Sequence, residues 1–429
     1  MQINRIASWG LSAALVLIAG CNSLPPYQGQ TLDSLAEDYL VLELAMGEID
    51  VAHVDAYFGP PALREQARQT GWTLAEIDSR ADALSAALAQ WLDADTVERV
   101  QPLLQRIVAL KMRVAINQGQ FVDFDTEAKA LFGVSAPDYD DQHFEAILTQ
   151  IDALLPGEAP LAQRVSSFRA QFDVPPDRLE AVFAAAMEEC RKRTLKHIAL
   201  PDNESFTIEY VSDKPWSGYN WYQGNAVSLI QINTDFPVAI DRAIDLGCHE
   251  GYPGHHTYNA IVERDLMRAR GWVEFSLYPL FSPQSLVAEG SGNYGIEVAF
   301  PADERIAYER QVLFPLAGLD AEKADLYYRL QALMAKLSYA GNEAARDYLN
   351  GDIDADSAAQ WLSRYTLTTL ERARQRVRFI DTYRSYVINY NLGQDLVRRH
   401  VERLGGDRDA RWVRFEALLK DPNAPAAIR

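Results

Sequence analysis

Residues 245–257 read Asp-Leu-Gly-Cys-His-Glu-Gly-Tyr-Pro-Gly-His-His-Thr, and three of the chain's seven histidines fall inside this stretch. A His-Glu pair followed by two more histidines is a stretched form of the pattern His-Glu-x-x-His. In that pattern the two histidines share one helix face, about 6 Å apart along the axis, and both reach one zinc ion. The intervening Glu serves as general base toward water. Here Pro253 occupies the position of the second histidine. Proline cannot donate to the carbonyl of His249, and its ring collides with that carbonyl. A regular helix therefore does not continue through Pro253, and Gly254 supplies the freedom for a kink. On an undistorted helix His255 and His256 lie about 9 and 10.5 Å along the axis from His249, too far to share an ion with it. A two-residue bulge returns His255 to the face of His249; a three-residue bulge returns His256. Both stay open as the second ligand.

A third ligand is required, and residues 286–297, Leu-Val-Ala-Glu-Gly-Ser-Gly-Asn-Tyr-Gly-Ile-Glu, offer Glu289. A carboxylate at an apolar helix start is costly to bury alone, and a cation removes that cost. Gly290 and Gly292 each weaken the helix by about 1 kcal/mol, which points to a close backbone approach. Tyr294, five residues on, is placed to donate its hydroxyl to an oxyanion.

Outward from these two stretches the dominant period is helical. Leu35, Tyr39, Leu42, Met46 and Ile49 recur at spacings of three and four, with Ser34 and Glu37 placed as a capping box. Leu103, Ile107, Leu110 and Val114 repeat the pattern, as do Leu179, Phe183, Ala186 and Cys190. It returns over 326–339, 370–388 and 392–404. Gly59-Pro60-Pro61, Pro156-Gly157, Pro175-Pro176 and Gly405-Gly406 separate such segments. Strand signals are confined to Phe206–Val211 and the alternating Val227–Asn233. The expected fold is mainly α, with a small β element just before the histidines. A helical half over 31–200 and a site-bearing half over 201–429 flank the expected cleft. The aromatic, glycine-punctuated Trp216–Gly224 reads as a loop over that cleft.

The protein has 429 residues, with 41 Lys plus Arg against 60 Asp plus Glu, a formal charge of −19. Such a surface repels phosphates and excludes nucleic acid as a partner. Three cysteines exclude a disulfide scaffold. Residues 1–20 carry one charge, Arg5, and a 13-residue apolar run, Ile6–Ile18. The run is too short for a membrane span and fits a signal peptide. It ends in Ile18-Ala19-Gly20-Cys21, which resembles a bacterial lipobox. Cys21 is then the lipidated residue, the lipid anchor the sole membrane contact, and residues 21–30 a tether. Asn22 after Cys21 favours the outer membrane, facing the periplasm.

The pair HEGYPGHH and AEGSGNYGIE resembles the bacterial domain-of-unknown-function 885 family, which is grouped with gluzincin-type metallopeptidases. The resemblance implies a large helical, metallopeptidase-like fold. It implies His249, one of His255 and His256, and Glu289 as ligands of a zinc ion, with Mn or Co as alternatives. Glu250 becomes the base, and Tyr294 matches the motif tyrosine. Ser291 and Gly292 stand where many members carry bulky apolar residues, which changes the pocket beside the motif. In gluzincins an edge strand beside the metal binds extended peptide, and Val227–Asn233 is the candidate here. The expected activity is zinc-dependent hydrolysis of a peptide. A small non-peptide amide or ester and a non-catalytic metal-binding lipoprotein are the alternatives.

Weaker claims attach to Tyr258 and Tyr219 as site tyrosines. Cys190 and Cys248 read as buried structural residues, and their pairing stays open. Arg372, Arg374, Arg376, Arg378 and Arg384 form a basic stretch that reads either as a solvated helix face or as recognition of a substrate carboxylate. His53, His143, His197 and His400 are isolated and read as structural. No Gly-x-Ser-x-Gly elbow, phosphate loop or dinucleotide fingerprint occurs.

Overall fold

The computed structural model describes Tyr27 and residues 29–429. The signal segment, Cys21 and most of the tether lie outside the described residues. The fold is mainly α, as expected, and no described helix is long and apolar enough to cross a membrane. The first helix, Leu32–Ile49, starts at Thr31, whose hydroxyl accepts the Ser34 N–H at 3.2 Å. The cap therefore sits three residues before the Ser34 of the expected capping box, where the extended backbone of Thr31 can reach an unpaired amide. Leu35, Tyr39, Leu42 and Met46 of its apolar stripe are at most 1% exposed. Helix Val97–Asn117 buries Leu103, Ile107, Leu110 and Val114, and helix Leu179–Thr194 buries Phe183, Ala186 and Cys190.

The expected continuous helix over 370–388 breaks after Tyr383. Arg384 takes a φ of +53° and a 3₁₀ turn, Arg384–Val387, follows. Buried Glu127 is the cause: its carboxylate accepts the Arg384 Nε–H at 2.7 Å and both the amide and hydroxyl of Ser385. That long-range anchor outweighs local helix propensity. It also turns Tyr386 toward the residues described below, before the backbone resumes as helix Ile388–Glu402.

Two small sheets interrupt the helices. β1 (Val54–Tyr57) pairs antiparallel with β5 (Leu277–Pro279). β2 (Ser205–Val211), β3 (Gly218–Gly224) and β4 (Val227–Asn233) form a sheet of order β2-β4-β3, with β2 parallel and β3 antiparallel to β4. Two expectations change. Most of Trp216–Gly224 is strand rather than loop, with Asn220 and Tyr222 buried and Trp221 outward. And Val227–Asn233 is the central strand, so the edge strands are β2 and β3, of which β3 is the one beside Glu250.

The halves expected to meet at residue 200 share one apolar core, which runs from Ala109 to Ile428 and also takes in Ala56. A second core lies around Leu32–Ile49 and Val97–Asn117. A disulfide between Cys190 and Cys248, Cα atoms 5.5 Å apart, ties helix Leu179–Thr194 to the histidine segment.

Candidate metal centre

The histidine segment is not one bent helix but two helices with a break between them. Helix Asp241–Leu246 passes into a π-helical turn, Gly247–Gly251, which carries His249 and Glu250. The backbone then crosses a cis Tyr252–Pro253 bond and restarts as helix His255–Ile261. Gly254 makes the reversal possible: its N–H donates to the Cys248 carbonyl at 2.9 Å, and a Cβ at this position would lie 1.8 Å from the His249 carbonyl oxygen. His255, the first residue of the second helix, folds back onto His249, with their Nε2 atoms 3.1 Å apart.

Glu289 reaches the same point from helix Pro283–Ala299. Its Oε2 lies 3.2 Å from His249 Nε2 and its Oε1 3.7 Å from His255 Nε2. One ligand atom from each of the three residues falls within 4.8 Å of the others. All three side chains are nearly buried, and Glu289 Oε2 and His249 Nδ1 have no hydrogen-bond partner. Tyr386 Oη donates to Glu289 Oε1 at 2.6 Å and fixes the carboxylate. The glycines of the second motif serve packing. A Cβ on Gly292 would come within 2.9 Å of the His249 ring, and one on Gly290 within 2.5 Å of the Gly393 backbone in helix Ile388–Glu402. The expected close approach is thus realised.

The electrostatics favour a cation. Burial works against charge on Glu289, yet the His255 and His249 imidazoles more than offset it and hold its carboxyl well below the usual range. Burial likewise works against charge on His255, but Glu289, Glu250 and Asp55 outweigh it and carry its pKa up to about 9. Two imidazole nitrogens and a carboxylate, with an orphaned buried oxygen between them, match the donor set of a catalytic zinc site. The residues present fit such an ion.

Glu250 sits on the same turn, 5% exposed and outside this donor set. Burial raises its pKa, and the charge of neighbouring His249 opposes the shift. Edge strand β3 passes directly over it. A Cβ on Gly218 would lie 3.0 Å from Glu250 Oε1, and Asn220 Nδ2 donates to the Glu250 carbonyl at 2.6 Å.

Two of the sequence-derived site residues lie elsewhere. His256 points away from the triad, with Nδ1 2.8 Å from Ser228 Oγ and Nε2 3.2 Å from Glu204. The helix restart at His255 leaves one residue, not two, on the ligand face. Tyr294 lies five positions past Glu289 on a regular helix and so projects differently; its hydroxyl donates to Glu402 at 3.0 Å, away from the cleft. Tyr258 packs near Arg106 and Gln284, outside the cleft. Cys248 is committed to its disulfide.

The sequence reading missed Asp55, which bonds the Tyr219 hydroxyl, and Tyr386 and Tyr383 of the C-terminal region, whereas Tyr390, whose segment Tyr390–Gln394 resembles a C-terminal family stretch near the cleft, does line it. Asp55 belongs to a strand distant in sequence, and nothing local marks it. Tyr386 lay inside the helical pattern over 370–388, where an aromatic position reads as core.

Glu204, also missed, holds the segment from the opposite side. It accepts from Arg191 Nε at 2.7 Å, from the Tyr252 hydroxyl and from His256. Burial alone would raise its pKa, but these partners overrule it and bring it down from 4.5 to about 2. A carboxyl depressed on folding contributes stability above its unfolded pKa and loses it as pH falls through the folded one. Glu204→Gln is therefore expected to cost about 1–3 kcal/mol at neutral pH, with the difference closing between pH 4.5 and 2. Urea unfolding of both proteins across that range checks this; a gap independent of pH would contradict it.

The triad opens into a cleft of about 1040 Å³, lined among others by Glu250, Tyr219, Tyr383, Tyr390 and Arg376. No family model and no curated protein matches the sequence. Solved structures resemble it at low identity. The "putative lipoprotein from Colwellia psychrerythraea" is 14% identical, with 94% of this protein and 76% of that one covered and a TM-score of 0.48. The M32 carboxypeptidase from Deinococcus radiodurans R1 is 13% identical, covering 91% and 90% at a TM-score of 0.45. The metallocarboxypeptidase 1 of Trypanosoma cruzi is 15% identical, covering 92% of each protein at 0.38.

Proposed function

We propose that this protein is a metal-dependent hydrolase of the gluzincin type, with zinc as its ion and peptide bonds as its substrate. The observation that carries the reading is the convergence of His249, His255 and Glu289, all nearly buried, beside an acid, Glu250, that is free to do other work. When bound, zinc polarises a carbonyl and makes water a nucleophile at neutral pH.

The protein's own residues supply the remainder. Glu250 takes the proton of the attacking water and returns it to the leaving amine. Its backbone is pinned to β3 through Asn220, so the base and the strand move together. β3 is an edge strand of the sheet, and an extended substrate laid along it hydrogen-bonds to its backbone beside Glu250. The role expected of Tyr294 passes to Tyr383 and Tyr390. Both line the cleft, and neither hydroxyl bonds a protein partner among the described residues. A hydroxyl donated to the developing oxyanion stabilises it. Lipidation at Cys21 and attachment to the outer membrane, facing the periplasm, belong to the same proposal and rest on the lipobox alone.

The test is a substrate panel. The protein, stripped by chelation and reloaded with Zn, Mn or Co, is offered short peptides, small amides and esters. Cleavage of peptides by the reloaded protein alone is expected. Turnover of only the amides or esters assigns the alternative substrate class, and no turnover with any ion or substrate overturns the hydrolase reading.

A further inference from the structure

The basic stretch in helix Leu370–Tyr383 and the turn after it divides once its surroundings are known. Arg374 pairs with Asp356 at 3.3 Å and Arg384 with Glu127 at 2.7 Å. Arg372 stacks over Phe236, 4.4 Å from its ring centre, and Arg378 is exposed. Arg376 alone of the five lines the cleft. Its guanidinium lies 4.4 Å from the centre of the Phe379 ring and 5.9 Å from that of Tyr390. Unlike Arg374 and Arg384, it forms no ion pair or hydrogen bond among the described residues.

Three of the other four cleft arginines are paired. Arg242 pairs with Asp245, Arg305 with Asp245 and Glu309, and Arg411 approaches Glu402. Arg169 forms no ion pair or hydrogen bond among the described residues either, but it has the carboxylate of Asp173 as a nearby counter-charge, which Arg376 lacks. Burial lowers the pKa of Arg376, but a guanidinium stays charged at any physiological pH. A half-buried, unpaired cation lying against two aromatic rings is costly unless an anion completes it. Around the triad the cleft is acidic, with Asp55, Glu250 and Glu289, so an anionic ligand is repelled unless it meets a local positive charge.

The position relative to the triad is set by two rings. Tyr390 lies next to Arg376, its ring is 5.8 Å from that of Tyr386, and Tyr386 bonds Glu289. An extended peptide covers such a path within a few residues, at about 3.3–3.6 Å per residue.

We propose that Arg376 is the anchor for a substrate carboxylate lying within a few residues of the scissile bond. The fork of a guanidinium binds a carboxylate bidentately. That carboxylate is the free C-terminus of a peptide or an acidic side chain, and the two sources are separable by experiment. The inference rests on the hydrolase reading for its substrate but can be tested without turnover.

The binding arm uses the full-length Glu250→Gln protein, loaded with zinc. Calorimetry compares N-blocked tetrapeptides ending in a free carboxylate, the same peptides ending in an amide, and amides with Asp or Glu at the last position. Binding tighter by about 10- to 100-fold for a carboxylate-bearing peptide is expected, the size of one charge-assisted pair. Preference for the free terminus over both amides assigns the terminus; recovery by Asp or Glu assigns the side chain. Adding Arg376→Gln brings every peptide to the level of the plain amide, while Arg376→Lys keeps an intermediate preference. Zinc content and melting temperature confirm that the variants are folded. In the turnover arm the same change appears in KM more than in kcat. Equal binding of carboxylate and amide peptides, or a preference that survives Arg376→Gln in a folded protein, overturns the anchor. A carboxylate preference in the binding arm with no peptide turned over leaves the anchor standing and removes the peptidase reading instead.

Discussion

Glu250→Gln is expected to reduce peptide hydrolysis by about 10²–10⁴-fold, the span that a positioned general base contributes, while leaving the metal content unchanged. Gln keeps the size and hydrogen-bonding reach of Glu but cannot accept a proton. The carboxylate of Glu250 stands outside the donor set formed by His249, His255 and Glu289. Its position on the π-helical turn is fixed by the backbone bond from Asn220 and by the disulfide at Cys248, neither of which the substitution touches. The loss should therefore fall on kcat, with peptide binding retained. Steady-state kinetics beside elemental analysis checks both halves. Undiminished turnover in the variant would remove Glu250 from the mechanism; lost metal together with lost turnover would make it structural.

Metal removal should cost stability as well as activity. In the triad Glu289 Oε2 is buried without a hydrogen-bond partner, and two imidazole nitrogens face each other at 3.1 Å. A cation bound only by the folded protein satisfies all three groups. It stabilises by about 4 kcal/mol when the free ion is near a thousand times its dissociation constant. Chelation is thus expected to lower the melting temperature by several degrees, and added zinc to restore it. Glu289→Ala should not respond to zinc at all. A wild-type melting curve that is the same with chelator and with zinc would contradict this.

How much of this was legible in the sequence follows from the range of each interaction. Helical stripes such as Leu35, Tyr39, Leu42 and Met46 report the burial of one face and are local, so the mainly α fold could be read from them. The His-Glu pair and the later Glu are short motifs with a chemical reason for their residue types, and both reach the centre. Pro253 and Gly254 announced a distortion, but not its form. A two-residue bulge, a three-residue bulge and a helix restart obey the same local rules, and the restart that forms puts His255 rather than His256 on the triad. The break after Tyr383 depends on Glu127, more than 250 positions earlier in the sequence. With it goes the orientation of Tyr386, which no periodicity carries. β3 was misread because its flanking glycines and its aromatic residues suit a loop equally well. The alternation of buried Asn220 and Tyr222 with outward Trp221 was the signal available.

The triad itself is tested most directly by counting metal in three proteins purified alike: the wild type, His255→Ala and His256→Ala. His255 and His256 are adjacent, both buried, and both open as candidates by sequence, while their ring nitrogens face Glu289 in one case and Glu204 in the other. After dialysis against limiting zinc, the account predicts about one equivalent per molecule in the wild type and in His256→Ala, and almost none in His255→Ala. Zinc retained by His255→Ala and lost from His256→Ala, or absent from all three, would contradict it.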